Sequence, residues 1–267
     1  VEDLRAFVAW GDTTTTFAPP VLVAHQGGLL DARFQDMSGD GVPDLVLLSP
    51  DGVQEERVVT LWIQDTSSGT KPHGLRTFQL KEKRAVQLFA NKLDVADVTG
   101  DSRADVLVIS TEENESLHVL HHSGKTAGVP GDPPAYLGYP YEFTGVTGGV
   151  DIGHADTNGD GAVDIIVGRE GASALTTFFN DGAGMFDIGV DSLIGFGNGT
   201  GKLKVTNLHS DDSVEDVIVF HEELQALIMV ENTENGYFDF PGVPIGSDVE
   251  TWGNAGTGSQ ISSNAVE

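Results

Sequence analysis

One pattern recurs through the chain and constrains its fold more than any other feature: DMSGDGVPDLVLL from Asp36, DVTGDSRADVLVI from Asp97 and DTNGDGAVDIIVG from Asp156. The copies are 61 and 59 residues apart, and a degraded fourth, NLHSDDSVEDVIVF, follows 51 residues later at Asn207. A unit of this length cannot bury a hydrophobic face alone, so it must stack on its neighbours. Before each acidic stretch the residues alternate, with Ala32 and Phe34, Leu93 and Val95, Ile152 and His154, and Leu203 and Val205 in equivalent places. Such period-two alternation marks a strand with one buried face. After it come Leu45 to Leu48, Val106 to Ile109, Ile165 to Val167 and Val217 to Phe220, short β-branched runs suited to strands buried on both faces.

The rest of each unit has room for two more strands, for example Val58 to Ile63 and Leu75 to Leu80 in the first. Four strands per unit predict an all-β chain, a β-propeller of four-stranded blades, with repeats at about 28–86, 87–146, 147–200 and 201–241. Lys81 to Leu93 is rich in helix formers, but the repeat register needs an inner strand at its end, so strand is expected there. Before the first acidic loop only two strands fit, around Arg5 to Trp10 and Val21 to His25; after the fourth repeat, Val249 to Glu267 could supply the other half of a blade. Residues 1–267 are therefore one propeller closed into five blades, or a segment of a larger one. The polar ISSNAVE makes a poor buried strand, which favours the segment.

Positions 1, 3, 5 and 9 of the loops carry Asp36, Ser38, Asp40 and Asp44; Asp97, Thr99, Asp101 and Asp105; and Asp156, Asn158, Asp160 and Asp164. With the position-7 carbonyls of Val42, Arg103 and Ala162, these make an oxygen cage for a hard cation of six to eight ligands, which calcium suits best. Magnesium demands stricter octahedral geometry, and zinc or copper would want imidazole or thiolate. The bidentate Glu that an EF-hand places at position 12 is replaced by Leu47, Val108 and Val167, so position 9 is expected to close the cage. Ser102 stands where glycine is expected, beside Arg103, which predicts weaker binding in the second loop. In the fourth, an extra residue pushes Asp211 or Asp212, and then Asp216, out of register, leaving a site near Asn207, Asp212 and Asp216 doubtful. About three Ca²⁺ are expected. The competing reading is a set of Asp/Gly turns whose carboxylates cap backbone amides.

Composition fits this picture. The formal net charge is −27, from 41 acidic and 14 basic residues, which argues against nucleic acid and anionic membrane as partners. Cysteine is absent, so thiol chemistry, disulfides and Cys-ligated metals are excluded. Apolar runs such as Ala226 to Val230 are far below the roughly 20 residues of a membrane helix, so a soluble chain is expected. With Val1 first and no basic, apolar leader, the sequence reads as a processed chain or a piece of a longer one.

The repeat resembles the FG-GAP/VCBS type of integrin α-subunit head domains and many secreted proteins, most closely at Asp156 to Gly168, preceded by VDIGHA. The resemblance implies a β-propeller with calcium between the first two strands of a blade. The Phe-Gly and Gly-Ala-Pro signatures are missing, Gly168, Arg169 and Glu170 following the third loop, so an integrin-like partner is not implied.

Other candidates are weaker. His118, His121 and His122 do not share one strand face, and Gly124, Lys125 and Thr126 lack the P-loop's earlier glycine, Val119 standing there. The glycine run at 195–201 lacks dinucleotide spacing. Asn114 and Asn198 head glycosylation sequons. Lys71, Arg76, Lys81, Lys83, Arg84 and Lys92 form a basic island, a docking face for an acidic partner or glycan or simply a solvated loop and strand. The expected function is a non-enzymatic, extracellular or cell-surface module binding protein or glycan in adhesion or assembly. The alternatives are a polysaccharide-degrading lyase or hydrolase, and a structural subunit of a filament or coat completed by neighbouring chains.

Overall fold

A computed structural model describes residues 6–9, 17, 20–23, 28–51, 57–65, 77–86, 89–111, 117–124, 136–143, 148–169, 174–193, 200–208, 214–221, 225–233, 235–238 and 243–244. These residues are all-β: one two-stranded sheet and four four-stranded antiparallel sheets, none closed into a barrel. No helix among them is long and apolar enough to cross a membrane.

β1 (Ala6–Val8) pairs with β2 (Val21–Val23). The first four-stranded sheet is β3 (Asp31–Gln35), β4 (Asp44–Pro50), β5 (Arg57–Gln64) and β6 (Phe78–Val86). The second is β7 (Ala90–Ala96), β8 (Asp105–Ser110), β9 (Leu117–Leu120) and β10 (Tyr141–Phe143). The third is β11 (Gly149–Ala155), β12 (Asp164–Arg169), β13 (Ala174–Phe178) and β14 (Val190–Leu193). The fourth is β15 (Thr200–Thr206), β16 (Asp216–His221), β17 (Ala226–Val230) and β18 (Val243–Pro244). Each is a meander in chain order.

Lys81 onward continues as strand, as the repeat register requires. The fourth strand of the first sheet, however, begins at Phe78 and runs to Val86 rather than ending at Leu80. A register shift opposite Leu61 and Trp62 lets it pair along nearly all of β5. The alternation that resembles a helical pattern in sequence turns Glu82 and Val86 inward and leaves Lys81, Lys83 and Ala85 exposed.

The second strand of each sheet explains the stacking. On β4, Val46 and Leu48 face the second sheet's Leu93, Val106 and Val108, while Leu45 and Leu47 pack with Val8 on the other side. On β8, Leu107 and Ile109 turn instead toward Ile152, Ile165 and Val167 of the third sheet. Ile166 and Leu175 then pack on Val217, Val219, Ile228 and Val230 of the fourth. Alternate residues of one strand thus serve two cores, which is why these strands are apolar throughout, each such side chain contributing about 1.5–3 kcal/mol on burial.

The first strands of consecutive sheets lie side by side, β3 by β7, β7 by β11 and β11 by β15. The approach is closest at Gly153, where an added Cβ would stand 2.6 Å from Val205 Cγ2. Asp31 accepts the Leu93 amide at 3.2 Å, and Asp151, at the same place two sheets on, accepts the Leu203 amide at 3.0 Å.

Candidate metal centre

Each acidic loop joins the first two strands of its sheet. Its position-9 aspartate opens the second strand: Asp44 opposite Gln35, Asp105 opposite Ala96, Asp164 opposite Ala155. All three carboxylates are fully buried. Asp44 accepts the amides of Met37 and Ser38 on one oxygen at 3.0 and 2.9 Å, and that of Gln64 on the other at 2.9 Å. Asp105 repeats this with Val98, Thr99 and His122, and Asp164 with Thr157 and Asn180. The aspartate therefore locks the loop to the end of the third strand. Burial pushes all three carboxyls above the ordinary carboxylate range, against the pull of those amides; at Asp164 the charge of Asp160 adds to the rise.

Position 1 holds the turn itself. Asp36 accepts the amides of Gly39, Asp40 and Gly41 at 2.7, 3.2 and 2.7 Å. Asp156 does the same with Gly159, Asp160 and Gly161 at 2.8, 3.1 and 2.9 Å. At position 5, Asp40, Asp101 and Asp160 accept the amides of Val42, Arg103 and Ala162. At position 3, Ser38 and Thr99 donate to Asp36 and Asp97, and the Asn158 amide donates to Asp160. Position 6 is left-handed in the first three loops, with φ of 80° at Gly41, 66° at Ser102 and 89° at Gly161.

These carboxylates are turned toward backbone N–H groups, and among the described residues no three His, Asp or Glu side chains converge as metal ligands. The loops are thus capped turns in their present orientation. Their donor set nevertheless fits calcium: each compresses three carboxylates into nine residues, and like charge already raises Asp164. Position 9 has spent most of its acceptor capacity on amides, so it is poorly placed to close a cage as a bidentate ligand. Arg103 extends toward Gly124, where an added Cβ would lie 2.5 Å from Nη1.

In the fourth loop Asp216 is not displaced from its place in the sheet, contrary to the register expected from sequence. It pairs with Thr206 as Asp44 does with Gln35, and accepts the Leu208 and Asn232 amides at 2.9 Å each. Asn207 turns its side-chain amide to the Val214 carbonyl at 3.2 Å, while Asp211 and Asp212 lie outside the described residues.

The histidines are dispersed. His122 accepts the Gly124 amide on Nδ1 and donates from Nε2 to the Met37 carbonyl at 3.1 Å, whereas His121 donates to Gly184 and stacks on Tyr141. His118 on β9 is held below the usual histidine range by burial, Glu142 opposing. The basic island is largely engaged: Lys83 with Asp51, Lys81 with Gln79, and Arg84 with Glu82 and the Leu137 carbonyl. Lys71, Arg76, Asn114, Lys125, Asn198 and residues 249–267 lie outside the described residues.

Two features were not anticipated from sequence. The second residue after the third strand clasps the preceding sheet's loop: His122 to Met37, Asn180 to Val98 and Asn232 to Thr157, each reaching the position-2 carbonyl. The visible signal was the repeated Asn-x3-Gly-x-Phe at Asn180 and Asn232. Second, Arg33, Asp94 and His154 form a charged chain across three first strands. Asp94 accepts from Arg33 Nε at 3.2 Å and from His154 Nδ1 at 2.7 Å.

No protein-family model matches the chain, and no curated protein does. Among solved structures it is similar to an Agrocybe aegerita lectin described as specifically recognising non-reducing terminal N-acetylglucosamine, with a TM-score of 0.52 and 18% identity. The match covers 87% of this chain and 59% of the lectin's, so the chain spans under two thirds of that protein. A weaker likeness, TM-score 0.33 and 14% identity, is to a Photorhabdus luminescens Tc holotoxin pore, covering 88% of this chain and 13% of that one.

Proposed function

We propose that the chain is a calcium-stabilised β-propeller of FG-GAP/VCBS type, or a segment of one, acting outside the cell as a non-enzymatic glycan-binding module. The propeller reading is supported by four consecutive meanders stacked face to face, with their first strands side by side. The observation that carries the calcium reading is the same carboxylate-lined turn built three times at one place in the sheet.

The oxygens of Asp36, Ser38 and Asp40, of Asp97, Thr99 and Asp101, and of Asp156, Asn158 and Asp160 would hold the ions, with the carbonyls of Val42, Arg103 and Ala162 and a subordinate contribution from Asp44, Asp105 and Asp164. Bound calcium would supply charge neutralisation within each turn. Weak, exposed sites of this kind fill at about millimolar calcium, which is the extracellular condition. The glycan reading is supported by the likeness to a lectin at the level of fold. Calorimetric titration with CaCl₂, followed by a glycan array in calcium, tests both parts: no heat of calcium binding removes the first, and an array without a positive removes the second.

A further inference from the structure

A cavity of about 430 Å³ opens where the first three four-stranded sheets meet. Its size falls within the range of about 300–1,000 Å³ typical of small-molecule sites. Gln35 at the end of β3, Asp97 at the start of the second loop and His154 on β11 are its polar members, while the part-exposed Ala162 and Val163 contribute apolar surface. Its walls include parts of the second and third acidic loops, Gly100 and Gly161 among them.

His154 is the unusual member. Equivalent positions two residues before the other acidic loops carry Phe34, Val95 and Val205, so the repeat by itself asks for an apolar residue. Here the position is an exposed imidazole whose Nδ1–H donates to Asp94, and Asp94 is held from the other side by Arg33. That chain fixes the ring and its tautomer, leaving Nε2 as the remaining polar atom of a pre-oriented imidazole.

We propose that this cavity is a saccharide subsite taking one neutral hexopyranose unit, with His154 Nε2 and the Gln35 amide meeting its hydroxyls. The proposal rests on the glycan-binding reading and names the place where binding occurs. Neighbouring hydroxyls each donate and accept, which suits an amide and an imidazole held together. Ala162 and Val163 offer surface for the ring's C–H groups. An anionic sugar is disfavoured, because Asp94 and Asp97 stand at or beside the cavity and Glu215 interacts electrostatically with His154. Since two acidic loops form part of the wall, the subsite's shape depends on their order.

The test is titration of the full chain, in calcium, with N-acetylglucosamine, glucose and galactose, followed by ligand-observed NMR. The variants are His154→Gln, Gln35→Leu and, as a control in the fourth sheet, Lys204→Gln, with melting temperature recorded for each. We expect at least one sugar to bind, both cavity variants to weaken it by about tenfold or more, Gln35→Leu to melt near the parent and His154→Gln somewhat below it because the bond to Asp94 is lost, and the control to bind as the parent does. Sugar binding unchanged in both cavity variants would overturn the subsite while leaving the glycan-binding reading intact. Absence of binding to any of the three sugars, and to a glycan array, would overturn both.

Discussion

The side-chain amide of Asn180 donates to the carbonyl of Val98, 82 residues earlier, at 2.8 Å, and the two atoms belong to different sheets. The same amide reaches Val163 at 2.9 Å, and its own carbonyl accepts from Gly182 and Gly184. One buried side chain thus ties the second loop, the third loop and the turn after β13. Asn180→Ala leaves buried carbonyls without donors, which costs about 1–3 kcal/mol for such a group. We expect Asn180→Ala, and separately Asn232→Ala, to lower stability by about 2 kcal/mol in urea denaturation. An unchanged midpoint in either would show that water replaces the clasp.

Strands and acidic loops are legible in the sequence because their signals are local: apolar runs such as Leu45 to Leu48 and an aspartate every fourth residue within Asp36 to Asp44. The clasps are not, because Met37 and His122 meet only once two sheets have stacked. The extent of β6, expected to end at Leu80, is misread for a related reason, since the helix formers from Lys81 onward join it as one continuous strand only once β5 supplies a partner. Asp216 shows the opposite case. Counting residues predicts a slip, whereas the amides of Leu208 and Asn232 hold the carboxylate in its place opposite Thr206.

Backbone strain distinguishes the second loop. Ser102 adopts φ of 66°, where Gly41 and Gly161 sit at 80° and 89°. A left-handed conformation costs a residue with Cβ about 1–2 kcal/mol. Ser102→Gly is therefore expected to raise stability by about 1 kcal/mol, and Gly161→Ala to lower it by a similar amount. Thermal denaturation in chelator reads the backbone contribution without the metal, and a destabilised Ser102→Gly would contradict it.

Asp94 predicts an acid transition. Burial alone would raise its carboxyl, but the His154 hydrogen bond and charge, with Arg33, hold it below the ordinary range. Its stabilising contribution is therefore present above the unfolded value of about 3.9 and lost as pH falls through the lower folded one. Asp94→Asn should be less stable than the parent by about 2 kcal/mol at pH 7, with the difference shrinking as pH falls through the lowered folded value. Urea midpoints across pH check this; a constant difference would assign the loss to packing rather than charge.

The position-9 aspartates run the other way. Burial raises Asp44, Asp105 and Asp164, so in chelator they favour folding below the unfolded carboxylate value, and that contribution is lost as pH rises through the raised folded values. On the proposed calcium reading the cation would bind the ionised loops and reverse the trend, because protons and the cation compete for carboxylates. The melting-temperature gain from calcium should accordingly be small near pH 4 and grow toward pH 7, and it should follow ln(1 + [Ca²⁺]/Kd) at fixed pH. Asp160→Asn, which keeps an acceptor for the Ala162 amide, should remove about one calcium of three from the calorimetric stoichiometry with little loss of stability in chelator. A stoichiometry unaltered by both Asp160→Asn and Asp40→Asn would place the ions elsewhere, and the carboxylates would then be turn caps alone.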